Sequence, residues 1–510
     1  MEKTWAISGV DLHLDLPRAD ANAGAGTEAG PGTGTGTGTG AGTGAGERGV
    51  RAALTDALRE AVRSGRLAPG TRLPSSRSLA ADLGLARNTV ADAYGELVAE
   101  GWLTARQGSG TRVAARTAPP RPAPAHRRAT PPRTPPPPVH DLRPGPCDVS
   151  SFPRAAWLSA ARRAMAAVPH EAFGYGDGRG RPELREALAG YLARARGVRA
   201  TPERIVLCAG FAQGLALLGR VLRQRGVRSM GVESYSLWVH HDIIERAGLR
   251  AAPLTVDGQG ARVAELDDEA RRNVRSVLLT PAHQFPTGVP LHPDRRAAVA
   301  DWASRTGGLI VEDDYDGEFR YDRQPVGALQ GLAPEHVVYC GTASKSLAPG
   351  LRLAWLVLPE HLVADVVDLR RSGEWGMGVL DQLTLAEFID SGGYDRHIRA
   401  MRLHYRRRRD DLVSALARHA PHIRVTGIAA GLHAVLELPP GTEQSTIQAA
   451  AWRGLAVQGL SAFRHSAVDD SVPSPVPDGR DGLIVAYGTP AKHAFAGALE
   501  TLIDVLPPMS

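Results

Sequence analysis

The stretch RTAPPRPAPAHRRATPPRTPPPPVH, residues 116–140, cannot belong to a helix, a sheet or a packed core. Proline lacks the backbone donor and fixes φ, so a proline-rich chain stays extended and semi-rigid. The chain must therefore fold as separate bodies on either side of this spacer, and 510 residues exceed what one hydrophobic core supports. A second break lies in residues 20–47, where TGTGTGTGAGTGAG has almost no large side chain to bury and is expected to be disordered. Before it, VDLHLDL within residues 1–19 alternates apolar and polar positions and reads as one short strand. The expected order is a strand segment at 1–19, a disordered Gly/Thr/Ala tract at 20–47, a small module at 48–115, the spacer at 116–140 and a large domain at 141–510.

Composition narrows the class. Hydrophobic residues make up 43% of the chain and no apolar run approaches the roughly 20 residues of a membrane span, so a soluble protein is expected. The opening MEKTWAISGVDLHLDLPRAD has no apolar signal core, and Cys147, Cys208 and Cys340 have neither metal-binding nor redox spacing. Both features point to the cytoplasm. Charge is uneven: residues 48–140 carry 15 Arg and no Lys against 6 acids, a balance of +9, which leaves the rest near −3. A basic module on a mildly acidic body suggests a polyanionic partner for that module.

Within 48–115, Leu54, Leu58, Ala61 and Val62 share one helical face up to Ser64-Gly65. SRSLAADLG reads as a short helix capped by Ser75 or Ser76 and ended by Gly84. RNTVADAYGELVAEG carries an apolar stripe of Val90, Ala93, Tyr94, Leu97 and Val98, and WLTARQGSGTRVA reads as two short strands around GSG. Three helices and a β-hairpin make a winged helix-turn-helix, an α+β module. The polar residues its core leaves over cluster at Arg77, Arg87, Asn88 and Thr89, with Arg106, Gln107 and Arg112 flanking the wing. LPSSRSLAADLGLARNTVADAYGELVAEGWLTARQGSGT resembles the GntR-type DNA-binding domain. That resemblance implies double-stranded DNA contacts from Arg77, Arg87, Asn88, Thr89 and the wing residue Gly108.

Residues 141–510 alternate helical and strand patterns. RIVLCAG, SMGVES, AAPLTV, SVLLTP, GLIVEDDY, HVVYCGT and LAWLVLP are short apolar strands between helices, the pattern of a largely parallel α/β sheet. Beyond about residue 385, long basic helices and a few strands suggest a small α+β lobe, with Arg406–Arg409 on a solvated helix face.

The whole chain holds 57 arginines but only three lysines, Lys3, Lys345 and Lys492. A guanidinium cannot form a Schiff base and a desolvated lysine amine can, so Lys345, after an apolar strand and among small residues, suggests an amine with a chemical task. Other stations surround it in sequence order. CAGFAQG (208–214) offers backbone N–H groups at a strand-to-helix turn for a phosphate. Asp313 follows a buried strand and suits a protonated ring nitrogen; Tyr315 suits a neighbouring ring oxygen; Arg352 suits a phosphate. Together these requirements describe pyridoxal 5′-phosphate.

The large domain resembles the fold-type I aminotransferases, and TPAHQFPTG, EDDYDGEFRY and GTASKSLAPGLRL behind a GntR-type module resemble the MocR family of regulators, among them the kind controlling vitamin B6 synthesis. The resemblance implies that Lys345 forms the internal aldimine, Asp313 faces the pyridine nitrogen and Tyr315 the ring hydroxyl. It further implies that Thr342, Arg352 and the turn of Gly210, Phe211 and Ala212 hold the phosphate, and that Tyr175 of a head-to-tail homodimer reaches the partner's phosphate. Two departures stand out. Tyr235, Leu237 and Trp238 in VESYSLW are all candidates to stack on the ring, and Thr489 in IVAYGTP stands where aminotransferases carry an arginine for the substrate carboxylate. The expected function is a DNA-binding transcriptional regulator with pyridoxal phosphate as effector and no catalytic residues. The alternatives are an active aminotransferase or an amino-acid-responsive regulator.

Overall fold

The computed structural model describes residues 44–106, 110–115, 138–321, 327–371, 377–468 and 481–508, with side chains from residue 49 onward. Two units, Met1–Pro135 and Pro136–Ser510, each have their own contacts. The strand expected in residues 1–19 lies outside the described residues, as do Gly108 and most of the proline-rich spacer.

In the first unit, α1 (Gly44–Arg63), α2 (Ser76–Leu83) and α3 (Arg87–Ala99) precede β1 (Leu103–Arg106) and β2 (Gly110–Val113), which pair antiparallel. Helix α1 begins at Gly44, inside the tract expected to be disordered. Ser75 caps α2, its side chain accepting from the N–H of Ser78 at 3.1 Å, and Gly84 ends it at φ 66°. Leu54, Leu58, Leu79, Val90, Ala93, Leu97 and Leu103 form one buried core beneath the three helices and the hairpin.

The second unit opens with β3 (His140–Asp141), which pairs with a strand of the C-terminal lobe, so the spacer gives way to ordered structure at its last residue. Then follow α4 (Arg154–Ala167), α5 (Pro182–Arg196), β4 (Ile205–Cys208), α6 (Phe211–Gln224), β5 (Ser229–Glu233), α7 (Trp238–Arg246) and β6 (Arg250–Leu254). A small hairpin, β7 (Val256–Asp257) and β8 (Gly260–Ala261), leads to β9 (Val274–Leu279), α8 (Pro293–Thr306), β10 (Leu309–Asp313), β11 (Val337–Thr342), β12 (Ala354–Val357) and α9 (Glu360–Arg371). The sheet order is β4-β12-β11-β10-β9-β5-β6, with β12 antiparallel to both neighbours and every other neighbouring pair parallel. The five residues of β5 and of β10, and the six of β11, are all buried, as a sheet covered by helices on both faces requires.

The rest comprises α10 (Val379–Asp390), α11 (Gly393–His419), β13 (Arg424–Thr426), β14 (Ala434–Leu438), α12 (Glu443–Trp452), β15 (Leu455–Ala456), β16 (Gln458–Gly459), β17 (Asp481–Val485) and α13 (Phe495–Val505). Strands β13, β14, β17 and β16 form the sheet of the small lobe. The carboxyl ends of β4, β10 and β11 lie close together in the large sheet, where ligands bind in open α/β sheets.

Candidate functional site

A cavity of about 310 Å³ opens at those strand ends, lined by Phe211, Ala212, Asp313, Tyr315, Thr342, Lys345 and Arg352 among others. The sheet thus gathers side chains from positions 211 to 352, although no two stations adjoin in sequence apart from the closely spaced pairs.

The side of the cavity at the amino end of α6 is built by backbone geometry. Gly210 caps α6 at φ 96°, a conformation open to glycine, and a Cβ there would collide with the guanidinium of Arg352. Arg352, itself at φ 53°, donates to the carbonyl of Ala209. Thr342 donates to Ser344 Oγ at 2.9 Å and accepts from the Ser344 N–H at 3.1 Å, which folds the turn that carries Lys345. The amino terminus of a 14-residue helix, a guanidinium and hydroxyls face one space.

The reactive side is electrostatically prepared. Burial pulls the amine of Lys345 below its ordinary range, and the nearby acids Asp316 and Asp313 oppose that only in part. Among the described residues its hydrogen bond goes to the carbonyl of Gly145. Burial, then the negative charges of Asp314 and Asp316, push the Asp313 carboxyl well above the usual carboxylate range. No described residue donates a hydrogen bond to that carboxylate, although Asp313 is only 6% exposed. A buried acid left without a partner needs one from a ligand. A protonated ring nitrogen fits it. Asp314 has no such need: Arg196 holds it at 2.7 and 2.9 Å, and Tyr339 donates to it at 2.7 Å.

Several expectations need correction. Thr489 does not face the cavity; its hydroxyl donates to the carbonyls of Arg143 at 2.9 Å and Pro146 at 3.1 Å, pinning the loop that supplies Gly145. The cavity residue from that segment is Ala486, and Ile484 of β17 is buried against Tyr235, Val435 and Phe463. The three stacking candidates also separate. Tyr235 is buried in that apolar cluster, Trp238 is 58% exposed, and only Leu237 lines the cavity. Tyr175 is expected at a second copy's site rather than this one, so its expectation is not among these corrections; it is 95% exposed in a separate cleft with Phe173 and Arg371.

Sequence reasoning missed four imidazole or acid positions. His240, packed on Phe211 at 4.8 Å, and His433 line the cavity, and burial drives each imidazole down to about 3. Behind Tyr315 stand His283 and Asp316, joined at 2.8 Å. The donor atoms of His283, Asp316 and His433 lie within 4.8 Å of one another, a donor set that suits a small cation. Nδ1 of His283 is nevertheless already at hydrogen-bond distance from Asp316, and Gly431 is packed so closely that a Cβ would strike both. The cluster is a closed hydrogen-bonded unit. TPAHQFPTG and EDDYDGEF contain two of these residues, but nothing in their spacing says that the segments meet.

In the first unit, Arg77 on α2 and Arg87 and Asn88 at the start of α3 are exposed on adjoining helices, with Thr89 half-buried beside them. Arg106 and Arg112 flank the hairpin turn.

A winged helix-turn-helix joined to an aminotransferase-type unit defines a DNA-binding regulator with an enzyme-derived ligand domain. Residues 146–470 match the family "Aminotransferase class I and II" and residues 51–113 match "Bacterial regulatory proteins, gntR family". The chain is 33% identical over 453 residues to the HTH-type pyridoxine biosynthesis transcriptional regulator PdxR of Corynebacterium glutamicum, covering 89% of this chain and 95% of that one. It is 32% identical over 427 residues to the probable rhizopine catabolism regulatory protein MocR of Rhizobium meliloti, covering 80% and 85%. An archaeal alanine:glyoxylate aminotransferase superposes with a TM-score of 0.62 at 25% identity, covering 72% of this chain and 90% of that structure. The chain belongs to the MocR family of transcriptional regulators. Among the described residues no helix is long and apolar enough to cross a membrane.

Proposed function

We propose that the large unit binds pyridoxal 5′-phosphate as an effector and that its occupancy alters DNA binding by the winged head. The observation that carries this reading is one cavity holding a lysine amine of lowered pKa, a buried carboxylate without a partner, and an anion cradle. When bound, the group supplies an aldehyde, a ring nitrogen, a ring hydroxyl and a phosphate. Lys345 presents its amine to the aldehyde, and Asp313 accepts a hydrogen bond from the protonated ring nitrogen. Tyr315 donates to the ring hydroxyl oxygen. Arg352, Thr342 and the N–H groups of Gly210, Phe211 and Ala212 hold the phosphate. Leu237 and His240 are available to cover the ring.

The regulator reading is favoured over an amino-acid-converting enzyme by what lines the rest of the cavity. Among its described lining, the only cations are Lys345 and Arg352, both taken by the cofactor, and His240 and His433 are held neutral. An α-carboxylate finds no guanidinium to orient it, and transamination depends on that orientation. The name of the Corynebacterium relative supports the further reading that this chain controls pyridoxine synthesis. Acting on DNA places it in the cytoplasm. The exposed Tyr175, beside Phe173, suits a head-to-tail homodimer in which it reaches the second copy's site.

For ligand and DNA to be coupled, pyridoxal phosphate must bind two arrangements of the protein with different affinity. Operator affinity and footprint are therefore measured with and without pyridoxal phosphate, for wild type and Lys345→Ala. Wild type changes affinity or footprint on addition of the ligand, and the variant does not. Identical behaviour of wild type in both states overturns the effector reading. Rapid conversion to the pyridoxamine form with turnover, across a panel of amino acids, establishes the enzyme instead.

A further inference from the structure

Tyr315 lines the cavity, but the residues that hold it do not. Its hydroxyl lies 3.2 Å from the carbonyl of His283 and 3.2 Å from Nδ1 of the same residue. Nδ1 of His283 in turn sits 2.8 Å from Asp316, and these two residues are 3% and 2% exposed. A carboxylate accepts only, so Nδ1 carries a proton and donates it to Asp316. That leaves Nδ1 unable to accept from the phenol. The Tyr315 proton is therefore shared between the His283 carbonyl and the neighbouring Asp316 carboxylate while the cavity is empty of an acceptor, and is free to turn to an oxygen entering the cavity.

The surroundings keep this phenol protonated. Burial, then the charges of Asp316 and Asp313, hold Tyr315 well above its ordinary range. The groups facing the cluster are Asp313 and Glu233 from strand ends, Lys345 from the turn after β11, and His433 from the small lobe, whose ring lies 5.0 Å from that of His283. His433 is anchored by a 3.0 Å contact between Nε2 and the carbonyl of Pro286, and Gly431 closes the remaining side. Among the described residues no hydrogen bond joins this unit to the anion cradle or to Lys345, although the Asp316 charge acts on that amine. Its geometry serves the phenol.

We propose that His283 and Asp316 are positioning residues that keep Tyr315 a neutral hydrogen-bond donor aimed at the ring oxygen of the bound ligand. This rests on the reading of the cavity as a pyridoxal phosphate site. Asp316 fixes the tautomer of His283, and His283 fixes the phenol through its ring edge and its carbonyl. A phenol that donates to the ring oxygen stabilises that oxygen as an anion, the form in which the Lys345 nitrogen has released its proton. Losing the donation raises the proton affinity of that nitrogen. Losing the Asp316 charge alone would lower it. The two effects have opposite sign, and a substitution of His283 removes the first without the second.

The test uses full-length protein. The absorption of bound pyridoxal phosphate is followed against pH, and its midpoint reports the proton on the Lys345 nitrogen. Tyr315→Phe and His283→Ala each raise the midpoint by about one unit, a tenfold change in proton affinity. The double variant matches Tyr315→Phe alone, because the two act through one contact. His283→Asn, whose side-chain amide can stand where Nδ1 does, stays near wild type. A His283→Ala midpoint equal to wild type, or one that adds in full to Tyr315→Phe, overturns the proposal. The ligand-free protein gives a second readout: a strongly downfield imidazole N–H proton by NMR, lost in Asp316→Asn and retained in Tyr315→Phe. Its absence from the wild type also overturns the proposal. Wild type that shows no pyridoxal phosphate absorption at all, while the N–H signal is present, refutes the site reading instead, and with it the proposed role toward the ligand.

Discussion

Replacing Gly210 by alanine tests whether the anion cradle is built by backbone or by charge. Gly210 sits at φ 96°, ψ 161°, a region other residues enter at a cost of about 1–3 kcal/mol. The new Cβ would overlap the Arg352 guanidinium, and the backbone there is fixed between β4 and α6, so the guanidinium must move. It then loses its bond to Ala209 and its place at the phosphate. Hydrogen bonds to a charged group are worth about 1.5–3 kcal/mol, so pyridoxal phosphate affinity falls by roughly 10- to 100-fold. Binding is measured by absorption titration of Gly210→Ala beside Arg352→Ala, with circular dichroism to confirm folding. A folded variant that binds within about twofold of wild type would refute the reasoning.

Other substitutions probe other layers. Glu233 is buried and its carboxyl is pushed up to about 7 by desolvation, while Thr280 and Gln284 all donate to one of its oxygens. A carboxyl raised in the folded state stabilises below its unfolded value, and that contribution is lost as pH rises toward 7. Glu233→Gln therefore melts higher than wild type at pH 7.5, on the order of 3 kcal/mol from the shift, and the advantage disappears near pH 4; a constant difference across that range would contradict it. Arg196→Met strands Asp314, a pair 4% and 1% exposed, and destabilises the large unit by about 3–5 kcal/mol in a thermal melt. Arg87→Ala weakens DNA binding across sequences and lowers the salt slope by about 1 if it contacts phosphate. An unchanged slope would move Arg87 off the backbone.

The helices of the small module and the strands of the large sheet were legible because each obeys a local pattern: Leu54 and Leu58 recur on one face, and LIV at 309–311 is an unbroken apolar run. Lys345, Asp313, Tyr315 and Arg352 were legible for a different reason, the chemistry their side chains alone can do. His240, His283, Asp316 and His433 were not, since a buried histidine in a sequence looks the same whether it packs or hydrogen-bonds. Thr489 misled because it lies four residues beyond the end of β17, in a turn whose path no motif position specifies.

The sequence by itself determined that the chain breaks at a proline-rich spacer, that a basic winged module precedes an α/β domain, and that Lys345 stands as a rare amine just after an apolar strand. Those follow from backbone stereochemistry, side-chain period and functional groups, all local properties. Only the tertiary structure decided that Ala486 rather than Thr489 faces the ligand space, that Leu237 and His240 border it, and that His283 and Asp316 stand behind Tyr315. These depend on loops from β9, β10 and the small lobe meeting at one end of the sheet, and segments so far apart in the chain are brought together by packing alone.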